Sequence, residues 1–140
     1  LLIPNTLFEE ELLKFSAAQK TAMVRGGIKV VDLPGDSVLR ARQIAREMPH
    51  LSIHDGFAFA LAESHDGCIL LTGDGVLRAL AMERDIEVHG VLWVIDELHH
   101  HAQCAAETLL IALRLLAADP TVRLPQRELA AYVKRYTSLR

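Results

Sequence analysis

Cys68-Ile69-Leu70-Leu71-Thr72 is an unbroken apolar run, closed by His65-Asp66-Gly67 on one side and Gly73-Asp74-Gly75 on the other. A short continuous run between turn signals marks a strand buried on both faces, the kind found inside a parallel sheet. A chain holding such a strand needs further strands beside it and helices to cover it.

Leu1-Leu2-Ile3 reads as the tail of a strand or the approach to a helix. After Pro4-Asn5-Thr6 a helix is expected through about Phe15, with Leu7, Phe8, Leu12 and Phe15 on its apolar arc. The β-branched stretch Ile28–Leu33, closed by Pro34-Gly35, predicts a strand. Val38, Ala41, Ile44 and Ala45 predict a helix from about Ser37 to Met48, which Pro49 ends. Ser52 with Asp55 three residues on has the form of a capping box, opening a helix that runs to about Ser64. Past the buried strand, Val76, Leu77 and Leu80 predict a helix, Ile86-Glu87-Val88 a short strand, and Val91–Ile95 another, with Asp96 capping the next helix. A Leu/Ala-rich helix is expected from about Ala102 to Ala118, stopped by Asp119-Pro120, and Pro125 opens a last one reaching about Tyr136. Strands alternating with helices predict an α/β fold, a three-layer α/β/α sandwich with a mainly parallel sheet. No repeat, linker or low-complexity tract divides the 140 residues, so a single domain over 1–140 is expected.

The formal charge of −3 denies the chain a generic attraction to nucleic acid. A nucleic-acid partner would have to be held by a local basic patch or through metal ions, and Arg40, Arg42, Arg46 and Arg78 are the candidates for holding a phosphate backbone. Two cysteines, Cys68 and Cys104, are too few for a disulfide scaffold, which points to a reducing, cytoplasmic setting. No apolar run approaches the roughly 20 residues that span a bilayer, and no membrane role is expected.

Asp74 is the most informative polar residue, lying just past the carboxyl end of the buried strand, where open parallel sheets present their ligands. Its other reading is a turn aspartate in a strand-to-helix loop. Asp55 heads a helical row of Ala58, Phe59 and Ala62, an apolar stripe that must face the core. A carboxylate placed there needs a partner or a cation, unless it only completes the box with Ser52. Of Glu9, Glu10 and Glu11, Glu11 lies between Phe8, Leu12 and Phe15 on the helical wheel and is taken to face inward, with Glu9 next. His99, His100 and His101 reach Cys104 at helical spacing, but no second Cys or His cluster exists to complete a zinc site, so solvent-exposed histidines are expected. Neither a dinucleotide fingerprint nor a P-loop is present.

Three stretches together resemble the PIN-domain family of metal-dependent ribonucleases. Leu2–Leu12 is similar to the family's helix with an acidic residue just before a leucine. Leu51–Ala62 is similar to the alanine-rich helix that an aspartate begins, and Ile69–Asp74 to the strand ending in Thr-x-Asp. Gly90–Leu98 also resembles a bacterial subgroup of PIN-like proteins. The resemblance implies that Glu11, Asp55 and Asp74 converge at the carboxyl edge of the sheet to hold Mg²⁺ or Mn²⁺, with Thr72 orienting a ligand from behind. It implies RNA as substrate, a possible role as the toxin of a toxin–antitoxin pair with an antitoxin protein as partner, and a homo-oligomer. It departs in one respect: the family begins with a strand ending in Asp, and nothing before Pro4 supplies it. The expectation is a PIN-like domain lacking its N-terminal strand and first helix, and the alternative is an inactive relative that serves as a protein- or RNA-binding module. A receiver-like fold would need a lysine after a later strand, which is not found.

Overall fold

Ser52 marks the turn from extended chain to helix. Its hydroxyl accepts the Asp55 N–H at 3.1 Å, and the Asp55 carboxylate accepts the Ser52 N–H at 2.9 Å. This reciprocal cap satisfies amide donors that a helix start leaves open, so the expected capping box is present. In the computed structural model, which describes residues 1–139, the capped helix is α4 (Ile53–Glu63). It follows β1 (Leu2–Pro4), α1 (Asn5–Glu10), α2 (Ala17–Arg25), β2 (Lys29–Val31) and α3 (Gly35–Glu47). After it come β3 (Ile69–Leu71), α5 (Gly75–Glu83), β4 (Glu87–His89), α6 (Val91–His100), α7 (Ala106–Ala118) and α8 (Gln126–Ser138).

The fold is α/β, rich in helix, with short strands. β1 and β2 pair in parallel, Leu2 opposite Lys29 and Pro4 opposite Val31, while β3 and β4 form a second two-stranded sheet. Two small sheets thus stand where one larger sheet was expected. The chain divides into two compact units, residues 1–70 with 75–87, and residues 71–74 with the chain from Val88 on.

In the first unit α3 and α4 pack closely. A Cβ added to Gly56 would lie 2.6 Å from the carbonyl oxygen of Ala41, so only glycine lets these backbones meet. Ala41, Ile44, Phe59 and Ala60 are buried in the same unit. Arg40 on α3 clamps Glu63 at the end of α4 with two hydrogen bonds, Nε to Oε2 at 2.9 Å and Nη2 to Oε1 at 3.0 Å. Such a planar, bidentate pair is worth more than an ordinary surface ion pair. The same clamp takes Arg40 off the set of arginines available to a phosphate backbone.

In the second unit Leu92 and Ile95 of α6, Leu109, Leu110 and Leu113 of α7, and Leu129 and Tyr136 of α8 form one core. Asp96 stands beside it and accepts three partners from α8: Tyr132 Oη at 2.7 Å, Tyr136 Oη at 2.9 Å, and the Arg135 guanidinium. Burial works to raise the Asp96 pKa, but these donors outweigh it and hold the carboxyl below its usual value. Burial first, and then the bond to Asp96, pushes Tyr136 up to about 12.

Several expectations need correction. The first helix ends at Glu10 rather than near Phe15, and Phe15 is exposed. A separate helix, α2, begins at Ser16, whose hydroxyl accepts the Gln19 N–H while the Gln19 side chain accepts the Ser16 N–H. That Ser-x-x-Gln box ends one helix pattern and opens another. Val91–Ile95 is helix, not strand: a short apolar run fits either state, and here Leu92, Ile95 and Leu98 recur every third residue and pack on the core while Val91 is exposed. Asp96 is therefore mid-helix and caps nothing. The run at β3 is not buried on both faces, because Leu70 is 6% exposed but Ile69 and Leu71 are 40% and 37% exposed. Successive strand side chains point to opposite faces, and only the face carrying Leu70 is covered.

Gly56→Ala should destabilise the protein by about 1–3 kcal/mol in urea unfolding, since overpacking between helix backbones outweighs the better helix propensity of alanine. Gly35→Ala, where an added Cβ meets nothing within 4 Å, should be neutral by the same measurement. The Asp96 network sets a pH window. Its depressed carboxyl contributes stability above the ordinary aspartate pKa of about 3.9, lost as pH falls through the folded value. The raised Tyr136 contributes stability below the ordinary tyrosine pKa of about 10, lost as pH climbs through the folded value. A phenolate absorbance titration of the two tyrosines should show one ionising near 12.

Candidate active site

The first unit carries an acidic pair around a histidine. Glu10 closes α1 and Glu11 follows it, while His54 lies in the first turn of α4. His54 Nε2 is 3.2 Å from Glu10 Oε2 and 3.6 Å from Glu11 Oε1, an ion pair when the ring is protonated. The imidazole is 17% exposed, its ring tilted against Phe57, and its Nδ1 is buried without a hydrogen-bond partner among the described residues. Glu11, the residue expected to face the site, does reach His54, but so does Glu10 and at shorter range. Both glutamates are exposed, and Glu9 is exposed as well.

Asp55 is half-buried at the third position of α4. Its Oδ2 accepts both the N–H and the hydroxyl of Ser52, at 2.9 and 3.0 Å. One carboxylate oxygen is thereby committed to holding the helix start, where negative charge is also favoured by the helix dipole. Oδ1 receives no hydrogen bond among the described residues.

The second unit carries Thr72 and Asp74. The Thr72 N–H donates to the His89 carbonyl at 3.0 Å, and Thr72 Oγ1 accepts the Asp74 N–H at 3.1 Å. Thr72 therefore fixes the backbone that leads to Asp74, which is half-buried and directly precedes α5 in the chain. Among the described residues no group of three or more His, Cys, Asp or Glu is placed to hold a metal ion. Glu11 and Asp55 belong to the first unit and Asp74 and Thr72 to the second.

His99, His100 and His101 are exposed, as expected. His101 pairs with Glu97 at 3.2 Å and His99 meets the edge of Tyr136, while Cys104 packs against the core. Both cysteines are free thiols, and burial raises the pKa of Cys68, which donates to the Ala62 carbonyl at 3.2 Å.

A family model described as the PIN domain matches residues 1–138. The chain belongs to the PIN-domain family. No curated protein and no solved structure matches it. Membership gives this PIN domain a nuclease-type fold, in a family that typically uses divalent metals. No helix among the described residues is long and apolar enough to cross a membrane.

His54 was missed in the sequence although a signal for it existed. Its own helical row, Phe57, Ala58 and Leu61 at i+3, i+4 and i+7, is as apolar as the row that singled out Asp55.

Ser52→Ala removes the hydroxyl that caps α4 and should cost about 1 kcal/mol in urea unfolding. Asp55→Asn keeps an amide oxygen able to accept from Ser52, so its loss should be no more than half as large. An equal or larger loss in Asp55→Asn would show that the charge itself, not the cap geometry, holds this helix start.

Proposed function

We propose that this PIN domain is a metal-dependent ribonuclease that hydrolyses phosphodiester bonds of RNA, with Asp74, Asp55 and Glu11 as its oxygen ligands. The observation that carries the reading is the half-buried Asp74, held by Thr72 at the carboxyl end of β3, where strand-ends present ligands. Carboxylate oxygens match the preference of Mg²⁺ and Mn²⁺ for hard donors. Glu10 is the alternative to Glu11 because it lies nearer His54. When bound, the ion would lower the pKa of a water and offset charge on the leaving oxygen.

The chain's own residues have separate parts in this. Ser52 holds one Asp55 oxygen at the helix start and makes no bond to the other. Thr72 limits the freedom of the Asp74 backbone, so less ordering is needed when a ligand arrives. His54, when protonated, offers Glu10 and Glu11 a positive charge between their carboxylates that offsets their mutual repulsion. Arg42, Arg46 and Arg78, all exposed, remain for the RNA backbone once Arg40 is committed to Glu63. A toxin role with an antitoxin partner, and a homo-oligomer, are part of the same proposal and follow from the family resemblance alone.

A second reading is a PIN-like binding module without catalysis. It is favoured by the commitment of Asp55 Oδ2 to Ser52. The full-length protein distinguishes the two. On the nuclease reading it cleaves single-stranded RNA only with Mg²⁺ or Mn²⁺, EDTA stops it, and Asp74→Asn lowers the rate by orders of magnitude with an unchanged unfolding curve. Cleavage that persists in chelator or in Asp74→Asn rejects metal catalysis at this site, and no cleavage by the metal-loaded wild type favours the binding module.

A further inference from the structure

Trp93 is the single tryptophan of the chain, and its indole is not part of the core that α6 shares with α7 and α8. That seam is made by Leu92, Ile95 and Leu98, while Trp93 stands off it, half-buried, with one face against His89. The two rings are 4.1 Å apart and within 8° of parallel, a full stack. His89 ends β4, and its carbonyl accepts the Thr72 N–H that leads to Asp74. Trp93, His89, Thr72 and Asp74 form a continuous series within the second unit.

We propose that the Trp93–His89 stack is a platform for a base of single-stranded RNA, next to the phosphate that the Thr72–Asp74 loop would present to metal. The placement rests on the nuclease reading, whereas the platform itself does not require cleavage. A large indole held flat by a second ring has little rotamer freedom left to lose when a base lands on it. The chain is net negative, so affinity for RNA must come from local contacts rather than a general field. Aromatic stacking supplies such a contact, tolerates any base, and survives salt better than phosphate pairing does. Bases inside a duplex already stack on each other, so the platform selects unpaired RNA. Stacking strength grows with ring area, so the platform prefers large purine surfaces.

The test uses the full-length protein, Mg²⁺ and an oligoadenylate of about ten nucleotides, read within seconds of mixing so that cleavage does not accumulate. Emission from Trp93 should be quenched saturably by the single strand and not by the same strand in a duplex. An abasic version of the oligonucleotide should bind about tenfold more weakly, and Trp93→Ala should show a similar loss by anisotropy of a labelled strand while Trp93→Phe keeps most of the affinity. If Trp93→Ala does not fold, the abasic comparison on wild type carries the test alone. Equal affinity for abasic and intact strands, or unchanged emission while the labelled strand is bound, overturns the platform. Emission that follows protein concentration instead of oligonucleotide assigns Trp93 to an interface between copies and overturns it too. Base-dependent quenching without any cleavage supports the platform and rejects the nuclease, and cleavage with no preference for intact over abasic strands does the reverse.

Discussion

The reciprocal bond between Ser52 and Asp55 determines the first residue of α4, and much of the first unit depends on that one register. Helical residues advance about 100° each. With the start fixed at Ile53, His54 turns toward Glu10 and Glu11, Gly56 meets the backbone of Ala41, and Phe59 and Ala60 enter the core. A start displaced by one residue would place a Cβ where Gly56 now allows contact and would carry His54 away from the glutamates. One short polar cap thus positions both a packing contact and a candidate ligand set. The Asp55 carboxylate is fixed by this cap through two bonds to Ser52.

The second unit solves a different problem. Its helices share an ordinary leucine core, but α6 and α8 are joined by a single carboxylate that accepts two phenols and a guanidinium. A half-buried charge gains only when its oxygens are satisfied, and the three donors of α8 provide this. Tyr132, Arg135 and Tyr136 sit at spacings of three and four, so one turn of α8 suffices to surround Asp96. Because α6 also carries Trp93, the clamp that fixes α6 contributes to holding the aromatic stack at the end of β4.

The legible parts of the fold are those with local causes. The α4 cap, the end of α3 before Pro49 and the stop of α7 at Asp119-Pro120 follow from proline and side-chain hydrogen bonds within a few residues, and the structure has them. The misread parts share a different cause. Val91–Ile95 is equally apolar as strand or helix, and only the α7 and α8 surfaces that receive Leu92 and Ile95 choose between the two. Asp96 looked like a cap because its partners lie 36 to 40 residues away in sequence. The Ser16–Gln19 box is local to four residues, but the apolar arc ahead of it runs on past the end of α1.

The site divides along the same line. By itself the sequence determined the carboxylate-bearing segments, the Thr-x-Asp ending of β3, and membership of a family that holds oxygen-loving metals, because these are matters of residue type and short spacing. Tertiary structure alone decided that Glu10 shares His54 with Glu11, that Arg40 is spent on Glu63, that β3 is covered over Leu70 and open at Ile69 and Leu71, and that Trp93 lies flat on His89. Each of these depends on which surfaces of separate elements come into contact. That is fixed by the sum of many small packing energies across the chain, and no window of adjacent residues contains it.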